Sequence, residues 1–128
     1  MTPNGIIIRL SQYSVKETID RLVMLLGKNG ATVYARINQQ SEANGVGLNL
    51  RPLEFLLFGN PKVGGVVMAE NPLVALDLPL KTISWEDDEK KVWVAYNDSS
   101  YIAERYSLRH EESSPFDLNK IIDMVLEK

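Results

Sequence analysis

The stretch LKTISWEDDEKKVWVAYND, residues 80–98, decides the fold class. Two segments rich in β-branched and aromatic residues flank an acidic turn at Glu86–Glu89, a pattern that is typical of a β-hairpin. Trp85 and Trp93 fall on the two facing strands, where we expect them to form a cross-strand pair. Because a hairpin joins antiparallel neighbours, this stretch predicts an antiparallel sheet.

Three segments before the hairpin predict further strands. All three are rich in β-branched residues or in alternating apolar residues. The segments are GIIIRL (residues 5–10), ATVYARIN (31–38) and PLEFLLFG (52–59). In the second segment the alternation places Val33, Ala35 and Ile37 on one face of the strand.

Helices are predicted after residues that can cap a helix start, which are Ser14, Asn60, either Asp98 or Ser99, and Ser114. The last of them, over residues 114–128, has an apolar stripe and is expected to pack on its own domain or across a dimer interface. We therefore predict a single α+β domain over residues 1–128, in which an antiparallel sheet carries helices mainly on one face.

The composition narrows the function classes. The chain has 128 residues, a net charge of -3, a pI of about 5.2 and no cysteine. The sequence has no cluster of Lys and Arg that would indicate nucleic-acid binding. It also has no apolar run that approaches the roughly 20 residues of a membrane span. We expect a cytoplasmic protein without nucleic-acid or membrane partners.

Few residues are suited to catalysis or metal binding. His110 is the single histidine and lies in a polar segment, where an exposed loop position is expected. The four acids of Glu86–Glu89 lack the spacing and the glycine of a calcium loop. We therefore predict no cofactor and no metal, and we assign no catalytic residue.

The stretch LLFGNPKVGG, residues 56–65, is the main candidate site. Gly59 and Gly64 have the spacing of the two glycines of a P-loop, and a strand precedes them as that motif requires. However, Gly65 and Val66 stand where a P-loop needs a lysine and a hydroxyl residue. The sequence therefore excludes nucleotide hydrolysis of that kind.

Two interpretations of this turn remain open. In the first, Lys62 and the amides of the helix start form the positive wall of a pocket for a small anion. Asp77 is separately expected to form a structural ion pair with Lys62, and a catalytic acid–base pair is the alternative. In the second, Asn60 only caps the helix, while Gly64 and Gly65 let it pack closely on the sheet. The candidate ligand-binding residues are Gly59, Asn60, Lys62, Gly64, Gly65 and Asp77.

Three segments resemble a bacterial family known as domain of unknown function 302: GVGLNLRPLEFLLFGNPKVGGVVM, LDLPLKTISWEDDEKKVWVAYND and YIAERYSL. The resemblance covers residues 14–108 and leaves residues 114–128 as an added helix. It implies an α+β fold related to the TATA-binding saddle, an antiparallel sheet with helices on one face. Since architecture does not fix function, DNA binding is not implied.

Two positions depart from the family pattern. Asn38 and Gln39 stand where members often have Asp-His, and Gly65 stands where they often have threonine. If the Asp-His pair performs acid–base or metal chemistry in the family, this protein has lost it.

Three functions fit these observations. The preferred one is a non-catalytic module that binds a small ligand or a partner and forms a homo-oligomer, expected to be a dimer. The alternatives are a small enzyme that uses Asn60, Lys62 and Asp77, and a structural homo-oligomerisation domain.

Overall fold

A computed structural model describes residues 2–128 as a five-stranded antiparallel sheet with helices. The strands are β1 (Ile6–Ser11), β2 (Thr32–Asn38), β3 (Leu53–Gly59), β4 (Leu80–Glu86) and β5 (Val92–Asn97). Their order across the sheet is β1-β5-β4-β3-β2, with every neighbouring pair antiparallel. The predicted α+β class and hairpin are confirmed, and Trp85 lies directly opposite Trp93.

A single carboxylate organises the hairpin turn. Asp87 Oδ1 accepts hydrogen bonds from the amides of Glu89 and Lys91, both at 2.9 Å, and Oδ2 accepts one from the Trp93 indole at 2.8 Å. The indole bond above all, together with the amide bonds, lowers the pKa of Asp87 below its ordinary value.

We expect acid to loosen this turn. A carboxyl group whose pKa is lower in the folded state stabilises the fold above its unfolded pKa of about 4, and this contribution is lost as the pH falls through the folded pKa. An NMR titration should therefore show the Trp93 indole signal moving below about pH 4. In Asp87→Asn the acid-dependent movement should be absent. The same movement in that variant would show that another group controls the turn.

The helices of the described chain are α1 (Val15–Lys28), α2 (Gln39–Asn44), α3 (Pro61–Glu70), α4 (Ser99–Tyr106), α5 (His110–Ser113) and α6 (Asn119–Leu126), with 3-10 turns at Pro72–Leu76 and Ser114–Phe116. Three predicted caps are confirmed, since side-chain oxygens of Ser14, Asn60 and Asp98 each accept a first-turn amide. The polar segment around His110, predicted as a loop, forms the short helix α5, and His110 is exposed. No helix within residues 2–128 has the length and apolar character to cross a membrane.

Helices α1 and α6 cover one face of the sheet. The side chains buried between them and the strands are Ile19, Leu22, Leu26, Leu56, Phe58, Val94, Tyr96, Leu118, Ile122 and Val125. A second buried cluster joins α3, α4 and the two 3-10 turns through Val67, Val74, Ile102 and Phe116. Leu80 of β4 packs against both clusters, so the two form a continuous core on this face.

The predicted alternation of β2 is wrong after its second residue. Val33 lies opposite Phe58, but Ala35 lies opposite Leu57, because a bulge inserts one extra residue between them. Since neighbouring residues point to opposite faces, Val33 lies on the helix-covered face, whereas Ala35 and Ile37 lie on the other.

The bulge turns Arg36 toward α1. Its Nε donates to Glu54 Oε1 at 2.7 Å and its Nη1 donates to Asp20 Oδ1 at 2.6 Å. Glu54 is buried on the helix-covered face, so the guanidinium supplies the charge that its carboxylate needs there. The bulge thus places Arg36 on the helix-covered face, where it pairs with Glu54.

The last helix begins later than residue 114, where the sequence predicted its start. Ser114 belongs to a 3-10 turn, and α6 begins at Asn119 with its amide bonded to Asp117 Oδ1 at 2.9 Å. Phe116 is buried in the second cluster and Leu118 in the first. The chain must turn between these two side chains, which a continuous helix from Ser114 would not allow.

Candidate functional site

A cleft of about 230 Å³ opens beside Phe58–Pro61, where β3 passes into α3. One wall is the inner side of α3, with Gly64 and Met68. The opposite walls come from the segments 78–80 and 115–118. The end of α1 and the start of β2 also contribute to the lining. Four distant segments therefore meet at the cleft, namely 26–34, 58–68, 78–80 and 115–118.

The cleft is largely apolar. No charged side chain lines it within the described part of the chain. Asn29 Nδ2 donates a hydrogen bond to the Leu25 carbonyl at 2.7 Å. Asn60 Oδ1 accepts one from the amide of Lys62 at 3.0 Å. Within residues 2–128 three polar groups of the lining have no protein partner, namely Asn29 Oδ1, Asn60 Nδ2 and the Tyr34 hydroxyl. All three residues are exposed, so these groups are open to water or to a ligand.

Three of the six predicted ligand-binding residues lie at this cleft, namely Gly59, Asn60 and Gly64. A Cβ on Gly64 would stand 3.7 Å from Met68 Cε and 3.8 Å from Leu78 Cδ1, so this glycine faces other lining side chains. The cleft that these residues line is apolar, whereas the sequence predicted a pocket with a positive wall.

Gly65 points away from the cleft. A Cβ on this residue would meet nothing within 4 Å, so its lack of a side chain does not serve close packing. That part of the packing interpretation is wrong. The threonine that is frequent in the resembling family would fit here.

The predicted pairing of Lys62 with Asp77 is also wrong. Asp77 is buried and accepts hydrogen bonds from Arg105 Nη1 at 3.0 Å and from the Tyr106 hydroxyl at 2.5 Å. The bond to this carboxylate raises the pKa of Tyr106. Lys62 is exposed and lies outside the cleft, beside a shallow groove that it shares with Glu112.

The amides that would bind an anion are already bonded. The Lys62 amide donates to Asn60 Oδ1, and those of Val63 and Gly64 donate to the Asn60 carbonyl at 3.0 and 2.8 Å. Pro61 has no amide hydrogen. The first turn of α3 therefore offers an anion no free backbone donor, and the capping role of Asn60 is confirmed.

Sequence reasoning missed the far wall of the cleft. The motifs FGNPK and DLPLK, which carried much of the family resemblance, meet there: a Cβ on Gly59 would stand 3.6 Å from Pro79 Cβ. The two motifs were visible in the sequence and could have pointed to this wall. Their proximity in space, however, depends on the pairing of β3 with β4.

Asn38, one of the two positions that depart from the family pattern, lies at a separate open cleft with Arg36 and Glu86. Its Oδ1 accepts the amide of Ser41 at 3.0 Å and so caps α2. Asparagine and aspartate are both good caps, so the residue present here retains that structural role.

The proteins that are similar to this chain include two Brucella relatives and one solved structure. A Brucella suis biovar 1 (strain 1330) protein named fluoride-specific ion channel FluC 1 is 38% identical over 105 residues, which are 82% of this chain and 41% of that protein. A Brucella melitensis biotype 1 protein named fluoride-specific ion channel FluC 2 is 38% identical over 105 residues, 82% and 39% of the two chains. The chain thus spans about two fifths of the length of these relatives.

The solved structure shows the same fold. It is the crystal structure of an uncharacterized conserved protein DUF302 from Bacillus stearothermophilus, with a TM-score of 0.79, 20% identity and 97% of each chain covered. The family model described as domain of unknown function DUF302 matches residues 7–126, and so includes α6 as well as the segment that carried the resemblance. The chain belongs to the DUF302 family.

Proposed function

We propose that this domain is a binding module that holds a small, mainly apolar molecule in the cleft beside Phe58–Pro61. The observation that supports this proposal is the combination of an apolar lining with three polar groups that have no protein partner within residues 2–128, on Asn29, Tyr34 and Asn60. Ligand sites typically combine these two features. An apolar cavity of about 150 Å³ is enough for benzene, so about 230 Å³ accommodates an aromatic ring with a polar substituent.

The relatives are compatible with a module of this kind. They are named as fluoride channels, but this chain corresponds to only 41% and 39% of their lengths. The Bacillus chain is covered over 97% of its length, so the fold also occurs without a large additional segment. We propose that the similar segment of the channels is an accessory domain, and that ion conduction belongs to the rest of those proteins.

The other expectations from the sequence, which concern location, nucleic-acid binding, fold relationship and catalysis, remain proposals. The lack of cysteine favours a reducing cytoplasm, and the net charge of -3 gives no electrostatic reason to expect nucleic acid. The proposed relation of this fold to the TATA-binding saddle is based on one shared feature, an antiparallel sheet that helices cover on one face. A small enzyme built on Lys62 and Asp77 is disfavoured because Asp77 is bonded to Arg105 instead.

A matched pair of variants tests the binding proposal. Gly64→Leu places a side chain among the lining residues, whereas Gly65→Leu places the same side chain where nothing lies within 4 Å. With phenol as the probe, we expect shifts of the amides in the ranges 58–64 and 78–80, apart from the two prolines, in the wild type and in Gly65→Leu. These shifts should be lost in Gly64→Leu, because leucine occupies the cleft.

The same NMR titration separates the two ligand chemistries. Absence of shifts with millimolar phenol, or equal shifts in both leucine variants, would contradict an apolar site. Inorganic phosphate is the probe for the anion predicted from the sequence. Shifts of residues 59–65 with phosphate that disappear in Lys62→Ala would favour that ligand instead. Native mass spectrometry of freshly purified protein can then identify a molecule that is retained from the cell.

A further inference from the structure

The face of the sheet opposite α1 and α6 is apolar in three rows across the strands. The row nearest the hairpin turn contains Leu10, Trp93, Trp85 and Leu53. The middle row contains Ile8, Ala95, Ile83, Phe55 and Ile37. The third row contains Ile6, Asn97, Lys81, Leu57 and Ala35. Lys81 is the single charged residue among the fourteen residues of the three rows. We call this surface the open face.

None of these residues belongs to the buried core clusters of the described chain. At the edges of the sheet Leu10 is 55% exposed and Ile8 is 38% exposed. Phe55, Ile83 and Trp85 are half-buried, although no helix of the core lies over them. Ala95 in the middle row is only 7% exposed between its larger neighbours, so a partner would contact mainly the larger side chains around it.

The sequences of β3 and β4 indicate that both faces of the sheet should be covered. A sheet that is solvated on one side normally has polar residues on that side. Here the polar side chains Glu54, Thr82 and Ser84 lie on the helix-covered face, whereas Phe55 and Ile83 lie on the open one. Strands that are apolar on the uncovered side are typical of sheets with a second layer.

We propose that a second copy of this chain covers the open face, so that two sheets pack face to face in a symmetric dimer. An almost uncharged face requires an equally apolar partner surface, and the same face of another copy provides it. Two sheets with the same twist pack well at about 30° and about 10 Å apart. Lys81 lies in the outermost row, where its long side chain can reach water at the rim.

The area fits a stable dimer. Five strands about 4.8 Å apart and six residues of about 3.3 Å give a flat footprint of about 24 by 20 Å. The side chains make the accessible area larger than this footprint. The footprint of about 480 Å² per copy amounts to about 960 Å² for two copies, and the relief of the side chains takes the buried area past the about 1,000 Å² expected of a specific interface.

This proposal is independent of the cleft, because the fourteen residues of the open face do not line it. Sedimentation of the wild type at about 100 μM should give a mass near twice the 14.4 kDa of one chain. Leu10→Lys should give a monomer, since the charge would enter the first row of the interface. It should keep its circular dichroism spectrum, because Leu10 is already 55% exposed in one copy.

Val66→Lys is the matched control, since Val66 is 67% exposed on α3, away from the open face, and the variant should remain dimeric. Ile83→Lys tests the middle row and should also give a monomer. A monomeric wild type at this concentration would overturn the proposal, even if another protein binds the open face. A dimer that persists in both Leu10→Lys and Ile83→Lys would overturn it as well.

Discussion

Deletion of residues 113–128 should leave a chain that no longer folds cooperatively. The deletion removes Leu118, Ile122 and Val125 from the main core and exposes the inner side of α1. A buried Leu or Ile contributes about 2–5 kcal/mol when truncated to Ala, and a whole domain has only about 5–15 kcal/mol. Urea titration followed by circular dichroism should therefore show no sharp unfolding transition.

Point variants separate this packing role from simple loss of chain length. Ile122→Ala should lower the unfolding free energy by about 2–5 kcal/mol, because Ile122 is fully buried against α1. Lys120→Ala, on the exposed side of α6, should change it by less than about 0.5 kcal/mol. A truncated chain with an unchanged melting curve would show that α6 is dispensable.

The contacts of α6 also explain why it packs on its own domain. Arg21 of α1 donates through Nε to the Val125 carbonyl at 2.7 Å and through Nη2 to the Glu127 carbonyl at 3.1 Å. These carbonyl groups lie at the end of α6, where no further helical amide is present to bond them. Of the two arrangements that the sequence left open, the structure has the one within the domain.

Arg36→Ala should destabilise the fold by about 3 kcal/mol. The variant leaves Glu54, whose side chain is 8% exposed, without its guanidinium partner. Removing one member of a buried ion pair costs about 3–5 kcal/mol, and the lower end applies because the Arg36 side chain is 31% exposed. Chemical denaturation monitored by Trp fluorescence measures this loss.

Two further variants test whether the unpaired carboxylate causes the loss. Arg36→Ala combined with Glu54→Gln should recover part of the stability, because the buried charge is then absent. Lys16→Ala should have an effect below about 1 kcal/mol, since its ion pair with Asp20 is exposed. If the double variant is as unstable as Arg36→Ala, the effect arises from lost packing of the Arg36 side chain instead.

The sequence by itself determined the elements whose signals are local. The hairpin of residues 80–98 was predicted because its alternation and its turn lie within one short stretch. The caps at Ser14, Asn60 and Asp98 were predicted because a capping side chain bonds an amide only two or three residues away. These interactions need no knowledge of the rest of the chain.

Only the tertiary structure decided the features that join distant segments. The β2 bulge brings Arg36 to Glu54, 18 residues away, and Asp77 is bonded to Arg105 rather than to Lys62. The apolar cleft exists because strand pairing places Pro79 beside Gly59. Alternation predicts that a strand has two faces, but which face the helices cover depends on packing across the whole sheet.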